Sequence, residues 1–322
     1  MRKILIVAPE ENWIVDRMVS EILPMLTSKG WRAFRDIHSA VASDVGMVWL
    51  IADWCVDRVP YEFLKQKNVL TTIHHIVPDK FFKGDWDRRD AITDAYHVFN
   101  ERTLAQVKSL TTRPVYLVPY WANDAIWTQS LVSPRDIRRS LELPANGFLC
   151  GSFQRDTEGA GIPHGVYLPK LEKGADRLAD AFIKLYEQRP DLHVVLAGWR
   201  RQYIIGRLEE AKIPYTYFEL PSQQVLNELY NVLDMYVVTA RHEGGPQALL
   251  ECGLTGTPCV STPVGIAEQV LPHSAISDDV TFAIPAVPNV TSINVLGFTN
   301  HDMRISRGGM NPYIKLIEEV AR

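Results

Sequence analysis

The sequence predicts an α/β fold in which two parallel sheets are each covered by helices. A chain of 322 residues is long enough for two domains, each with its own hydrophobic core. Short apolar runs alternate with helical patterns, which is the arrangement typical of parallel sheets. The composition, 46% hydrophobic and 22% charged, is that of an ordinary globular protein, so both domains can bury a core.

The first part of the chain predicts one such sheet. Its apolar runs indicate strands at 3–8, 31–34, 45–51, 68–74, 95–99 and 115–118. Periodic segments between them indicate helices at 13–29, 60–67 and 101–110. In parallel sheets ligands bind beyond the carboxyl ends of the strands, so the residues that follow each strand are the first candidates for a site.

Two segments of this part have alternative interpretations. His74 and His75 end strand 68–74 and are either ligand-facing side chains or structural loop histidines. The segment 76–89 mixes aromatic and charged residues without a clear period, which predicts a loop over a cleft. Three aromatic residues in this segment either stack on a bound ligand or are buried as a small satellite core: Phe81, Phe82 and Trp86.

The second part repeats the pattern after a polar, proline-containing connection at 122–144. Apolar runs indicate strands at 148–153, 192–198, 215–218 and 235–238. Helices are expected at 175–186, at 223–231 after Ser222 as N-cap, and at 311–322. This part therefore predicts a second parallel sheet.

The stretch that follows strand 235–238 carries the strongest chemical signal. Its sequence, Arg241-His242-Glu243-Gly244-Gly245-Pro246, leads into a helix whose first turn is expected to contain Pro246. A helix N-terminus offers unpaired N–H groups and partial positive charge, and glycines let a ligand approach the backbone, so this turn predicts a phosphate site. Glu243 and Glu251 either accept hydrogen bonds from sugar or ribose hydroxyls or are solvated side chains at a helix entrance.

Further motifs around this stretch occur in a defined order. They are Tyr230, Asp234, Glu243-Gly244-Gly245-Pro246, Glu251, Gly256-Thr257-Pro258-Cys259-Val260, Pro263-Val264-Gly265 and Glu268. Together they resemble the motifs of the retaining nucleotide-sugar glycosyltransferases of the GT-B class (group 1, family 4-like). The resemblance is weaker over 148–271 as a whole and extends only to the layout over the first 145 residues.

This resemblance implies two Rossmann-like domains that face a cleft. Residues 1–144 would form the acceptor domain, joined by the terminal helix 310–322, and residues 145–309 would bind the donor. The implied reaction is retaining transfer of a sugar from a nucleotide-diphosphate sugar to a saccharide or other hydroxyl acceptor. The nucleotide sugar is a co-substrate, and the family chemistry implies neither a cofactor nor a metal.

Roles for individual residues follow from the same resemblance. The catalytic set would be Glu243, which holds sugar hydroxyls, Lys173 and Arg155, which neutralise the diphosphate, and His74, which contacts the donor sugar or its phosphate.

The donor-binding set is also implied by the family. Lys173 and the turn Gly244-Gly245-Pro246 would hold the phosphates, and Glu251 would bind the nucleotide ribose. The loop at Leu220 would lie beside the nucleobase and bind it largely through backbone atoms.

The sequence departs from the family pattern at two places. The turn 9–13 after the first strand lacks the family's glycines and would instead turn Glu10, Asn12 or Trp13 toward the acceptor. Arg155 precedes an unusually long segment, so Arg200 or Arg201 are alternatives for its role. Because of these departures, a catalytically inactive nucleotide-sugar-binding protein stays an alternative interpretation. A sugar-nucleotide epimerase or phosphorylase also stays open, because fold does not determine function.

The four cysteines lie at no metal-ligand spacing and predict buried free thiols in a reducing compartment. The N-terminal apolar run is too short for a secretory signal, and no stretch approaches the roughly 20 apolar residues of a membrane span. We therefore expect a cytoplasmic protein, with peripheral membrane contact left open. The net charge of −4 does not indicate nucleic-acid binding, and the sequence indicates no oligomeric state.

Overall fold

The computed structural model describes residues 2–8, 14–159, 161–290 and 311–322. The chain forms two compact units: the described residues up to Tyr120 with the C-terminal helix, and a second unit that begins at Trp121. Residues 121–144, which the sequence analysis placed in the acceptor domain, fall in the second unit by this division. The roles assigned to the two domains stay predictions, and the turn 9–13 lies outside the described residues.

The first unit is built on a six-stranded sheet with the order β2-β1-β3-β4-β5-β6. All neighbouring strands are parallel, as predicted. The strands are β1 (Arg2–Val7), β2 (Trp31–Phe34), β3 (Met47–Leu50), β4 (Asn68–Ile73), β5 (Ala95–Val98) and β6 (Val115–Leu117). The helices are α1 (Ile14–Ser28), α2 (Ile37–Ala42), α3 (Tyr61–Leu64), α4 (Lys83–Asp90) and α5 (Glu101–Lys108).

One segment of this unit differs from its prediction. The expected loop 76–89 contains helix α4, in which an i,i+4 pair joins Lys83 to Asp87 at 2.8 Å. The sequence pattern concealed this helix because Trp86 is its only buried residue. The Trp86 ring stacks on Tyr96 at 5.2 Å between centroids, so its satellite-core interpretation is correct, whereas Phe82 is 67% exposed.

The second unit contains a five-stranded sheet with the order β11-β10-β7-β8-β9, again with parallel neighbours throughout. Its strands are β7 (Phe148–Ser152), β8 (Leu192–Ala197), β9 (Tyr215–Phe218), β10 (Met235–Val238) and β11 (Cys259–Ser261). Its helices are α6 (Pro134–Ser140), α7 (Ala175–Gln188), α8 (Gln202–Glu210), α9 (Gln223–Val232), α10 (Gln247–Thr255) and α11 (Ala267–Val270).

Sequence signals in both units are confirmed where they depend on neighbouring residues. The Ser222 hydroxyl accepts a hydrogen bond from the N–H of Val225 at 3.2 Å and caps α9 as predicted. The four cysteines are buried free thiols, and burial raises the pKa of Cys55 to about 11. No helix within the described ranges has the length and apolar content needed to cross a membrane.

The chain ends in helix α12 (Asn311–Val320), which packs within the first unit. Tyr313 is fully buried there, and its hydroxyl donates to the carbonyl of Pro119 at 2.7 Å. The same ring lies 5.3 Å from His97 and 6.2 Å from Trp49, measured between centroids. One aromatic side chain thus anchors the helix to the core of the sheet.

Tyr313→Ala should lower the free energy of unfolding by about 3–5 kcal/mol, because loss of a buried aromatic leaves a cavity. Tyr313→Phe removes only the hydroxyl and should cost about 1 kcal/mol, measured by urea unfolding. Tyr116→Phe is the matched control, since the Tyr116 hydroxyl bonds Glu319 of the same helix at 2.9 Å near the surface. An unchanged unfolding midpoint for Tyr313→Ala would show that α12 does not stabilise the unit.

Candidate active site

The candidate site lies at the carboxyl ends of β7 and β10, which are neighbouring strands of the second sheet. The loop after β7 ends in a 3-10 turn at Leu171–Lys173, and the loop after β10 contains Glu243. Because both strands run in the same direction, the two loops emerge at the same edge. Three of the predicted site residues, Lys173, Arg155 and Glu243, lie in these two loops.

The loop after β7 is long and is held together by contacts between its own residues. Thr157 and Pro169 form an antiparallel bridge, and the N–H of Lys170 donates to the carbonyl of Asp156 at 2.7 Å. The Lys170 ammonium forms ion pairs with Glu172 and, at 3.6 Å, with Glu158. These contacts return the chain to the sheet edge immediately before Lys173.

Lys173 and Glu243, both predicted site residues, are brought together. The distance between Nζ of Lys173 and Oε1 of Glu243 is 2.6 Å, and the side chains are only 19% and 15% exposed. The side-chain amide of Gln154 donates to the carbonyl of Lys173 at 3.0 Å and supports it from the β7 loop. The site therefore combines a cation and a carboxylate within one hydrogen bond of each other.

Backbone contacts place these two side chains. The N–H groups of Arg241 and His242 both donate to the carbonyl of Glu172, at 2.9 and 3.1 Å. The Thr239 hydroxyl donates to the carbonyl of Gly174 at 2.9 Å. Gly174 has a left-handed φ of +66°, and a Cβ there would collide with the carbonyl oxygen of Thr239. Only glycine permits so close an approach of the two segments.

The turn Gly244-Gly245-Pro246 leads into helix α10, but Pro246 is not in the first helical turn as predicted. Helix α10 begins at Gln247, and Pro246 precedes it with an extended backbone, φ −64° and ψ 138°. The reason is tertiary: the Gly245 carbonyl accepts a hydrogen bond from the N–H of Ile266 at 2.8 Å. A Cβ on Gly265, which has a φ of +57°, would collide with that same carbonyl.

Glu251 lies on α10 and is largely buried rather than solvated. The Tyr230 hydroxyl donates to its Oε2 at 2.8 Å. Burial and the nearby Glu251 raise the pKa of Tyr230 well above its usual value, so the phenol stays a donor. Tyr230 is a motif residue in the sequence without a predicted role, since a contact between α9 and α10 is invisible in the sequence.

The three arginines considered for phosphate binding have different environments. Nε of Arg155 donates to the carbonyl of Thr157 in its own loop at 2.9 Å, and the side chain is half-buried. Arg200 is also half-buried and lies over the Trp199 ring at 4.2 Å.

Arg201 is fully buried and forms an ion pair with Asp156. One of its terminal nitrogens also donates to the carbonyl of Ala197 at 2.8 Å. Within the described part of the chain, Nη2 of Arg201 and Oγ of Ser152 have no hydrogen-bond partner. The Arg201 guanidinium therefore secures the base of the β7 loop and does not reach the surface.

The two remaining predicted residues are His74 and Leu220. His74 belongs to the first unit, where Nδ1 accepts from the Tyr120 hydroxyl at 2.6 Å and Nε2 donates to the carbonyl of Ile51 at 3.0 Å. These contacts fit the structural interpretation of His74, and its catalytic role stays a prediction. Leu220 is 58% exposed at the end of β9, which β7 and β8 separate from β10.

Among the residues that the structure describes, no three His, Cys, Asp or Glu side chains converge in a way that would hold an ion.

Comparison with known proteins gives a family match over part of the chain and a shared fold. Residues 164–286 match the family model for Glycosyl transferases group 1. HepE (Alr3699) from Anabaena, solved with UDP and glucose, is 13% identical with a TM-score of 0.67, and 88% of each chain is covered. Sucrose-phosphate synthase from Thermosynechococcus elongatus is 14% identical with a TM-score of 0.68, over 86% of this chain and 85% of that one. WaaG, a glycosyltransferase involved in lipopolysaccharide biosynthesis, is 12% identical with a TM-score of 0.61, over 100% and 91%.

No well-characterised protein sequence matches at a significant level. The structural neighbours confirm the predicted GT-B fold. The segment matched by the family model contains Lys173, Glu243 and Glu251. Residues 164–286 of the second unit are therefore similar to the group 1 glycosyltransferases, which supports a transferase enzyme.

Proposed function

We propose that this protein is a retaining, metal-independent glycosyltransferase that uses a nucleotide-diphosphate sugar. The observation that carries the proposal is the 2.6 Å contact between Lys173 and Glu243 beside the start of α10. A cation and helix N–H groups suit a diphosphate, and a carboxylate suits sugar hydroxyls. Enzymes gain most rate when such groups lie where charge develops.

UDP-sugars are the first donors to test. The neighbour HepE was solved with UDP, with UDP and glucose, and with UDP-glucose. These ligands were bound by HepE. The fold that the two proteins share is the reason to propose a uridine nucleotide as the donor for this protein. In the proposed arrangement Glu251 accepts from the ribose hydroxyls, while the loop at Leu220 lies beside the base.

The proposed chemistry breaks the bond between the anomeric carbon and the diphosphate oxygen. That electron pair stays on the diphosphate, whose growing negative charge Lys173, Arg155 and the turn Gly244-Gly245-Pro246 neutralise. The acceptor hydroxyl oxygen bonds to the anomeric carbon on the same face, and its proton passes to the departing phosphate. Glu243 holds the sugar hydroxyls and need not act as a base.

The acceptor is a saccharide or another hydroxyl compound, and we assign it to the N-terminal domain with His74 near the donor sugar. The buried free thiols support a reducing compartment, so we place the enzyme in the cytoplasm.

The parent protein should release UDP from at least one member of a panel of UDP-sugars when a hydroxyl acceptor is present. Turnover should persist with a divalent-ion chelator, because cationic side chains and N–H groups supply the charge. NMR of the product should show the anomeric configuration of the donor. Loss of turnover with chelator and its return with manganese would contradict metal independence; conversion of the donor to an epimer would replace transfer by epimerisation.

The two glutamates should separate binding from transfer. Glu251→Gln should weaken UDP binding, measured by calorimetry, at least about tenfold, since a hydrogen bond to a charged group contributes roughly 1.5–3 kcal/mol. Glu243→Gln should leave the Kd for UDP nearly unchanged and lower kcat with the intact donor. Parental values for both variants would mean that neither carboxylate serves the donor.

Tyr230→Phe should weaken UDP binding by about threefold to tenfold, because Glu251 loses the donor that orients it. Tyr236→Phe is a matched control on β10, since the Tyr236 hydroxyl accepts from the N–H of Phe153 at 3.0 Å. Equal effects of the two variants on the Kd for UDP would contradict a specific role for Tyr230.

A further inference from the structure

A second ion pair joins the loop that carries Glu243 to the start of α7, directly after Lys173. Arg241 and Asp176 form two parallel hydrogen bonds, Nη1 to Oδ1 at 2.7 Å and Nη2 to Oδ2 at 2.6 Å. Nη1 of Arg241 also donates to the carbonyl of Leu171 at 2.8 Å. One guanidinium therefore contacts both ends of the segment that contains Lys173.

The position of this pair in the sequence relates it to the site. Arg241 lies two residues before Glu243, and Asp176 lies three residues after Lys173, in the first turn of α7. The main-chain N–H of Arg241 donates to the carbonyl of Glu172 as well. A change at Arg241 or Asp176 is thus transmitted to Lys173 and Glu243 through very few backbone bonds.

The two ion pairs differ in what they can hold. An ammonium group on a flexible stem is a point charge and tolerates rotation, so the Lys173–Glu243 pair defines distance but little orientation. A guanidinium that meets a carboxylate by two bonds defines a plane. Asp176 and Arg241 are 33% and 29% exposed, and ion pairs this accessible add little to global stability. Their effect is on local geometry.

We propose that Arg241 and Asp176 are positioning residues that hold Lys173 and Glu243 in the orientation needed for transfer. The role rests on the proposed function of Lys173 and Glu243 and adds two residues that do not touch the donor. Arg241 lowers the pKa of Asp176, which keeps the carboxylate charged and the pair intact near neutral pH.

The test compares Asp176→Asn and Arg241→Gln with Asp180→Asn. Asp180 lies one turn later on α7 and pairs with Arg207 of α8 at 3.0 Å. The control substitution therefore removes a similar surface ion pair that does not involve the loop after β10. With UDP-glucose, or whichever panel donor the parent uses, kcat should fall about tenfold to a hundredfold in the first two variants. The Kd for UDP should change less than about threefold, and the thermal midpoint should match that of Asp180→Asn.

The exchange variant Arg241→Asp with Asp176→Arg tests the pair directly. It should recover part of the kcat that Arg241→Asp alone loses, since a guanidinium again meets a carboxylate between the loop after β10 and α7. A kcat within twofold of the parent in Asp176→Asn, or an equal loss in Asp180→Asn, would overturn the positioning role.

A second readout does not need turnover. The ¹⁵N signal of the Lys173 ammonium, identified by its loss in Lys173→Arg, reports the contact with Glu243. It should shift toward the free-lysine position in Asp176→Asn and stay unchanged in Asp180→Asn. If the parent turns over no donor, the proposed function fails, whereas this signal still decides whether the pair positions Lys173; an unmoved signal overturns it.

Discussion

The paired hydrogen bonds from the Arg241 and His242 backbone to the Glu172 carbonyl are the constraint on which the site depends. They form because Gly174 adopts a left-handed backbone and leaves space for Thr239. Once these segments are joined, Lys173 and Glu243 must be neighbours. Cation and carboxylate therefore meet through the geometry of two loops, and side-chain pairs such as Asp176 with Arg241 only refine their orientation.

A buried ion pair between Arg201 and Asp156 stabilises the start of the long loop after β7. Removing Arg201 and Asp156 from water is costly unless each charge is hydrogen-bonded, and Asp156 also accepts from Thr157 at 2.8 Å. The Thr157 hydroxyl in turn accepts from the N–H of Tyr203 in the first turn of α8. The Arg201–Asp156 pair thus joins the loop after β7 to the end of β7 and the start of α8. Substituting either residue by a neutral one would leave the other as an uncompensated buried charge.

Patterns that depend on neighbouring residues were predictable. The six strands of the first sheet, four of the five strands of the second and the Ser222 cap follow from apolar runs and a capping residue, whereas β11 was not predicted. Predictions failed where distant contacts decide. Helix α4 has one buried residue and so lacks a helical stripe, and Pro246 lies outside α10 because the Gly245 carbonyl is held by Ile266.

The sequence by itself determined the α/β class, the parallel sheets and the two loops that carry the candidate chemistry, because hydrophobic period and glycine position act over short distances. Only the tertiary structure decided which side chains meet. It placed Tyr230 on Glu251, buried Arg201 against Asp156, and joined Arg241 to Asp176. Each of these contacts spans at least 21 residues of chain, so its partners are chosen by the packing of whole elements and by no local pattern.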